Sequence, residues 1–195
     1  IVCKIIENNE TVFEVKTFAG SREEAKNIVS NWQNHAESIY PKILDILKET
    51  YPDAKCELNY ETPFQLLVAT ILSAQTTDKK VNQVTEGLFK DYPDLDSFLK
   101  LTNEELEERI REIGLYRNKA KNLILMCHQL KDNFNGEVPK TMEEITTLAG
   151  AGRKTANVVL SNAFNVPSIA VDTHVFRVSH RLGLADSENV LEVEK

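Results

Sequence analysis

The stretch Leu148-Ala-Gly-Ala-Gly-Arg-Lys-Thr-Ala-Asn-Val-Val-Leu160 decides how this chain is read. Just upstream, Thr141-Met-Glu-Glu144 has the pattern of a capping box and opens a short helix. Downstream, Ala156, Val159, Leu160 and Ala163 recur at helical spacing, so a second helix follows. Gly150 and Gly152 between them offer positive φ and close backbone approach. The expected unit is therefore helix, glycine hairpin, helix. The first N–H groups of the second helix lack intrahelical partners. Together with the positive end of the helix dipole they suit a phosphate. Arg153 and Lys154 fall in that helix's first turn, where a cation works against the dipole. A lysine placed badly for stability is a candidate for chemistry, although the same residues also fit a plain turn followed by a solvated basic face.

The balance shifts at Ile169-Ala-Val-Asp-Thr-His-Val-Phe-Arg177, where an apolar run meets an acid at the start of a new helix. Asp172 lies eighteen positions after Lys154, about one helix and a return loop away. A lysine and a carboxylate at one cleft mouth form an amine nucleophile with a proton-handling partner. Asp172 also suits a pure capping role. His174 has no second histidine or cysteine as co-ligand and reads as a packing or loop-bonding residue. Thr155 and Asn157 sit so near the helix start that capping and nucleic-acid contact both stay open.

Taken with Leu72-Ser-Ala-Gln-Thr-Thr-Asp78 and Ile113-Gly-Leu-Tyr-Arg-Asn-Lys-Ala120, these motifs closely resemble the endonuclease III family of the helix-hairpin-helix (HhH-GPD) DNA glycosylase superfamily. The resemblance runs from roughly Pro41 to Lys195, with the four motifs in the family's order. It implies a mainly α fold with DNA in a cleft between two helical domains. Residues 63–165, including the hairpin unit 141–165, would form the six-helix domain. Residues 36–50 and 173–195 would form an incomplete second one, with apolar surface left exposed. Lys154 matches the lysine that attacks the sugar C1′ carbon, and Asp172 the aspartate that assists base departure and proton transfer. Gln75 and Leu115 match the pair that enters the duplex where the damaged nucleotide leaves. Gly150 and Gly152 match the glycines whose amides hold a phosphate, and Arg153 and Thr155 join the DNA-binding set.

The function so implied is that of a bifunctional DNA glycosylase and abasic-site lyase of base excision repair. It removes oxidised pyrimidines through a Schiff base on Lys154 followed by β-elimination. Lys154 must attack as a neutral amine, a state that partial burial and a nearby helix N-terminus favour. The partner is double-stranded DNA carrying damaged bases or abasic sites, met by a monomer with no membrane involved. Three alternatives stand beside this: an adenine glycosylase of the same superfamily, a non-catalytic hairpin module, and an inactive glycosylase fragment. The adenine branch normally lacks a lysine at the position of Lys154, and binding alone needs neither Lys154 nor Asp172.

Two departures from the family pattern matter. The family usually has Leu-Pro-Gly-Val-Gly where this chain has Leu148-Ala149-Gly150-Ala151-Gly152. Loss of the proline is expected to loosen the turn, and alanine for valine to remove packing, which weakens DNA affinity without removing the donors. The family's four closely spaced cysteines for a [4Fe-4S] cluster are also absent, so no cofactor is expected. Cys3, Cys56 and Cys127 are too few and too far apart for that cluster or for a disulfide framework. They read as reduced thiols of a cytosolic protein, and the resemblance implies a cytoplasmic, nucleoid-associated protein of bacterial or archaeal type.

At 195 residues, 42% hydrophobic and 27% charged, the composition is that of a globular chain with a sizeable core. No apolar run approaches bilayer length, and the start, which lacks a methionine, reads as a fragment or processed product rather than a signal peptide. A net charge of −7 argues against coating nucleic acid by bulk electrostatics, so distribution matters more. Residues 109–131 carry Arg109, Arg111, Arg117, Lys119, Lys121 and Lys131 against Glu112 alone, which predicts a local basic surface.

The first 35 residues have no counterpart in the resemblance. Strand-forming residues on either side of Glu7-Asn-Asn-Glu10 predict a β-hairpin, and Ser21 caps a helix along Ala25, Ile28, Val29 and Trp32. A helix over 36–50 follows, with Pro41 as a fresh start or a kink. Pro63 begins a strongly apolar helix, and Asp78 opens the next. Helices are predicted over 94–101, from the Thr102-Asn-Glu-Glu105 box, and over 117–134. Gly114 stops the second of these and presents Leu115 as a wedge at a loop tip. The last long apolar run, Val166 to Val171, is the one strand candidate beyond residue 18.

Overall fold

The computed structural model describes the backbone of residues 2–7 and 10–16, and all of residues 40–194. The chain forms two compact units, Ile1–Ala54 and Lys55–Lys195. In the first, β1 (Val2–Glu7) pairs antiparallel with β2 (Glu10–Lys16), with a register shift between Ile5 and Ile6. Residues 40–50 are the described part of helix α1. The helix expected from Ser21, and the start of the one expected from residue 36, lie outside the described residues.

The second unit is helical throughout its described residues. Its central element is α2 (Pro63–Ser73), which Thr62 caps by accepting from Gln65 N and which has proline in its first turn. Every residue from Phe64 to Leu72 is buried. A helix apolar on all sides belongs inside a protein, and α2 packs against α3 (Asp78–Asp91), α6 (Tyr116–Asn133) and α8 (Arg153–Phe164). Its two buried polar side chains are satisfied. Gln65 Nε2 donates to Pro93 O at 3.1 Å while its Oε1 accepts from Glu61 N at 2.9 Å. Thr70 Oγ1 donates back to Leu66 O at 2.7 Å.

Short helices fill the spaces between the long ones, each started by a side-chain cap. Asp94 and Ser97 form a reciprocal capping box on α4 (Leu95–Phe98), as do Thr102 and Glu105 on α5 (Asn103–Arg109). Phe98 of α4 is fully buried, edge-on to Phe64 at 5.2 Å and to Tyr92 at 6.3 Å. The inner face of α6 is Ala120, Leu123, Met126, Cys127 and Leu130. Ile124, on the same helix, is only partly buried. The helix ends where Gly136 N donates to Leu130 O at 2.9 Å with Gly136 at φ +81°, a left-handed stop.

The core runs from Leu58 to Leu160. Beyond it, residues 165–172 are irregular, so the Val166–Val171 run is not a strand. Its neighbours supply no sheet to pair with, and Val166 and Ile169 are exposed. Helix α9 (Thr173–Arg181) buries none of its residues, and Val178 and Leu182 are exposed, as are Val190 and Leu191 on α10 (Val190–Glu194). Among the described residues no helix is long and apolar enough to cross a membrane.

Removing the central aromatic tests this packing. Phe98→Ala is expected to cost about 3–5 kcal/mol in urea-induced unfolding. A loss below about 1 kcal/mol contradicts the placement of Phe98 in the core.

Candidate active site

The hairpin forms between α7 (Met142–Ile145) and α8, and its geometry separates the two glycines. Gly150 has φ +80°, and a Cβ there would lie 3.1 Å from Asn122 Cβ and 3.3 Å from Ile71 Cγ2. Both the backbone conformation and the close approach of α2 and α6 therefore demand glycine. Gly152 differs from expectation. It caps α8 in an extended conformation, φ −95°, and a Cβ there would meet nothing within 4 Å, so of the two glycines only Gly150 uses positive φ. No side chain caps α8, so its first amides lack both an intrahelical and a side-chain capping partner.

The missing proline does not leave the turn loose. Ala149 N donates to Gln129 Oε1 at 2.7 Å, and Gln129 Nε2 donates to Thr147 O at 3.1 Å. One glutamine from α6 clasps the turn on both sides, through an amide hydrogen that proline lacks. Ala151 is buried, so its small side chain sits in the core edge rather than leaving it open.

Lys154 and Asp172 come together. Lys154 Nζ lies 3.7 Å from Asp172 Oδ2, with the lysine side chain 62% and the aspartate 34% exposed. Asp172 is the N-cap of α9: its Oδ1 accepts from His174 N at 2.9 Å and Val175 N at 2.8 Å. The capping and proton-handling readings thus fall on different oxygens of one carboxylate. Its pKa is lowered, first by the bond from the Val175 amide and further by the His174 amide and the charge of Lys154, against an opposing effect of burial. The partial burial expected of Lys154 is not met, because the amine stands at the open end of α8.

Gln75 and Leu115 are both exposed and both left-handed, at φ 57° and 59°. Left-handed backbone is uncommon away from glycine, and here it occurs at both tip residues. The two tips are neighbours, since a Cβ on Gly114 would lie 3.7 Å from Gln75 O.

Other expectations change on the folded protein. Arg153 donates to Glu194 in an ion pair. Thr155 is half-buried, and Asn157 is 2% exposed with its Nδ2 unpartnered, which ends its candidacy as a surface contact. The three arginines of the basic band pair with acids. Arg109 pairs with Asp91 at 2.5 Å, Arg111 with Glu108 at 3.5 Å and Arg117 with Glu107 at 3.9 Å, while Glu112 pairs with Lys80. Lys119 is buried, which leaves Lys121 and Lys131 as the band's exposed lysines. A window of sequence counts charges but does not see the acids that folding brings alongside. Lys119 itself carries no signal in the sequence beyond its place four residues after Leu115.

Among the described residues no cluster of histidine, cysteine and acidic side chains can hold a metal ion. Of the two cysteines with described side chains, Cys127 is sealed in the core, where burial pushes its thiol up to about 12, and Cys56 is half-buried and free, so these two do not pair as cluster ligands.

Comparison with known proteins gives a family for most of the chain. Residues 68–195 match the HhH-GPD superfamily of base excision DNA repair proteins. Residues 1–47 match a domain of unknown function, DUF4364, so the front segment has a counterpart of its own that reaches into α1. Endonuclease III of a Synechocystis species is 52% identical over 155 residues, covering 79% of this chain and 71% of that protein. A solved structure of a trapped endonuclease III–DNA covalent intermediate, an estranged-adenine complex, is 55% identical with TM-score 0.73, covering 77% of this chain and 71% of the other. A non-covalent endonuclease III–DNA complex is 53% identical with TM-score 0.74, covering 80% and 73%.

The hairpin's geometry makes a differential prediction. Gly150→Ala is expected to cost more than about 1 kcal/mol from strain at positive φ, and Gly152→Ala to stay within about 1 kcal/mol. Gln129→Leu is expected to cost about 1–3 kcal/mol, because it removes both hydrogen bonds to the turn. Chemical denaturation of the three variants checks this, and equal losses at the two glycines contradict it.

Proposed function

The chain belongs to the endonuclease III family of the HhH-GPD base excision repair superfamily and is a DNA glycosylase and abasic-site lyase, and from that premise we propose that Lys154 and Asp172 carry its chemistry on oxidised pyrimidines in double-stranded DNA. The observation that carries the reading is the 3.7 Å approach of Lys154 Nζ to Asp172 Oδ2 at the open start of α8. A base stacked inside a duplex is out of reach, so the damaged nucleotide must turn out toward this site. Gln75 and Leu115, at adjacent exposed tips, fill the space it leaves. The uncapped amides at the start of α8 hold a backbone phosphate. Residues 63–165 act as the six-helix domain.

The neutral amine of Lys154 forms a bond to C1′ as the N-glycosidic bond breaks, and the base leaves with the bonding electrons and takes up a proton. Loss of the amine's proton and opening of the sugar ring give the Schiff base. Removal of a C2′ proton then expels the 3′ phosphate by β-elimination, and water hydrolyses the imine to free the lysine. Asp172 suits the remaining tasks. Its bonds from the Val175 and His174 amides lower its pKa and keep it ionised, and Oδ2 takes the proton that frees the Lys154 amine, relays it onward, and then stabilises positive charge developing on the sugar. The exposure of Lys154 leaves the amine open to an incoming duplex.

Borohydride added to the chain with abasic-site duplex is expected to trap a covalent protein–DNA species that Lys154→Ala abolishes. Equal trapping by that variant removes Lys154 from the role. Asp172→Asn separates the aspartate's two duties, because asparagine caps a helix about as well. Its melting temperature should hold within a few degrees while single-turnover base release falls by about 10²–10⁴-fold. Loss of stability without that loss of rate assigns Asp172 to capping alone.

A further inference from the structure

Lys119 is a buried cation outside the chemistry described above. Its side chain is 5% exposed, and Nζ donates to Leu72 O at 2.9 Å, to Ala74 O at 2.6 Å and to Thr76 Oγ1 at 3.2 Å. Three acceptors match the three N–H groups of an ammonium. Two of them are carbonyls at the C-terminal end of α2, where the helix dipole favours a positive charge. Burial lowers the lysine's pKa, and these oxygens offset that cost.

The bonds join two particular segments. Ala74 and Thr76 flank Gln75, so the ammonium grips the α2–α3 turn on both sides of that left-handed residue. On its own helix, residue 119 lies one turn after Leu115, and its amide donates to Leu115 O at 3.1 Å. Through one residue, the backbone at one exposed tip is tied to the backbone at the other. Neither tip has a second tether of this kind among the described side-chain bonds: Leu115 starts α6 without a side-chain cap, and the Gln75 turn is otherwise held by Thr76 N donating to Ser73 O at 3.0 Å.

We propose that Lys119 is a positioning residue that locks the Gln75 and Leu115 tips into one rigid wedge, so that both enter the duplex together. The proposal rests on the reading of those two residues as the duplex-entering pair. With the clamp intact the left-handed conformations are set before DNA arrives, and no ordering of two separate loops is needed on binding.

Lys119→Met tests it, since methionine keeps an unbranched side chain in the pocket and removes the three donors. In the full chain bound to a duplex carrying 2-aminopurine opposite an abasic site, the fluorescence rise reports unstacking of the partner base. At saturating protein the variant is expected to give at most about half the unmodified chain's rise, close to that of Gln75→Ala or Leu115→Ala. A full rise overturns the proposal. Hydrogen exchange without DNA gives a second readout. The Thr76 amide and the amide of residue 119 are expected to lose protection together in the variant, while those of α8 keep theirs. Loss at one tip only, or spread evenly over the fold, assigns Lys119 to general stability and overturns the clamp. Because exchange needs no DNA, it judges the clamp even where the unmodified chain neither unstacks nor traps abasic DNA, the outcome that sinks the functional reading instead.

Discussion

Helix α2 sets the frame for everything in the second unit. A helix buried from Phe64 to Leu72 has no solvent face, so its neighbours must surround it, and α3, α6 and α8 do. Burying side chains of this size stabilises by about 1.5–3 kcal/mol each. The same helix fixes the site from both ends of its last turn. Ile71 presses on Gly150 and so sets how closely the hairpin approaches, while the carbonyls of Leu72 and Ala74 receive the Lys119 ammonium. Packing thus places the hairpin and the exposed tips relative to one rigid rod.

The pairing of Lys154 with Asp172 adds a second constraint that packing alone does not provide. Helix α9 buries no side chain, so hydrophobic contact does little to hold its start in place. The carboxylate of Asp172 ties that start through two amide bonds to Oδ1 and turns Oδ2 to the amine. An exposed ion pair of this length contributes little stability in water. In the proposed chemistry its value lies in keeping the Asp172 carboxylate close to the Lys154 amine. The arrangement suits a site that DNA covers, since excluding water strengthens each of these interactions.

Much of this was legible from local signals. Proline at the start of α2, the capping residues before α5 and α7, and the apolar run of α2 all act within a few residues of the chain, and they located the starts of these elements to within a residue or two. Gly114, expected to stop α5, lies beyond the helix's actual end at Arg109. The approach of Lys154 to Asp172 followed from motif spacing. What escaped the sequence depends on neighbours far along the chain. The acid beside Arg109 comes from α3, eighteen positions away, and Asn157 and Lys119 are buried by contacts that no window reveals. The Gln129 clasp, which takes the place of a proline, joins residues twenty positions apart. The apolar run at 166–171 has strand composition, yet no edge exists among the second unit's described residues for it to pair with.

The central claim is that one amine, at Lys154, forms the covalent bond to the sugar. Mass mapping of peptides from the borohydride-reduced protein–DNA adduct tests it most directly. The account predicts a sugar remnant on the peptide containing Lys154, with the modified residue assigned by fragmentation. A remnant on any other lysine, or on the chain's amino terminus, contradicts it.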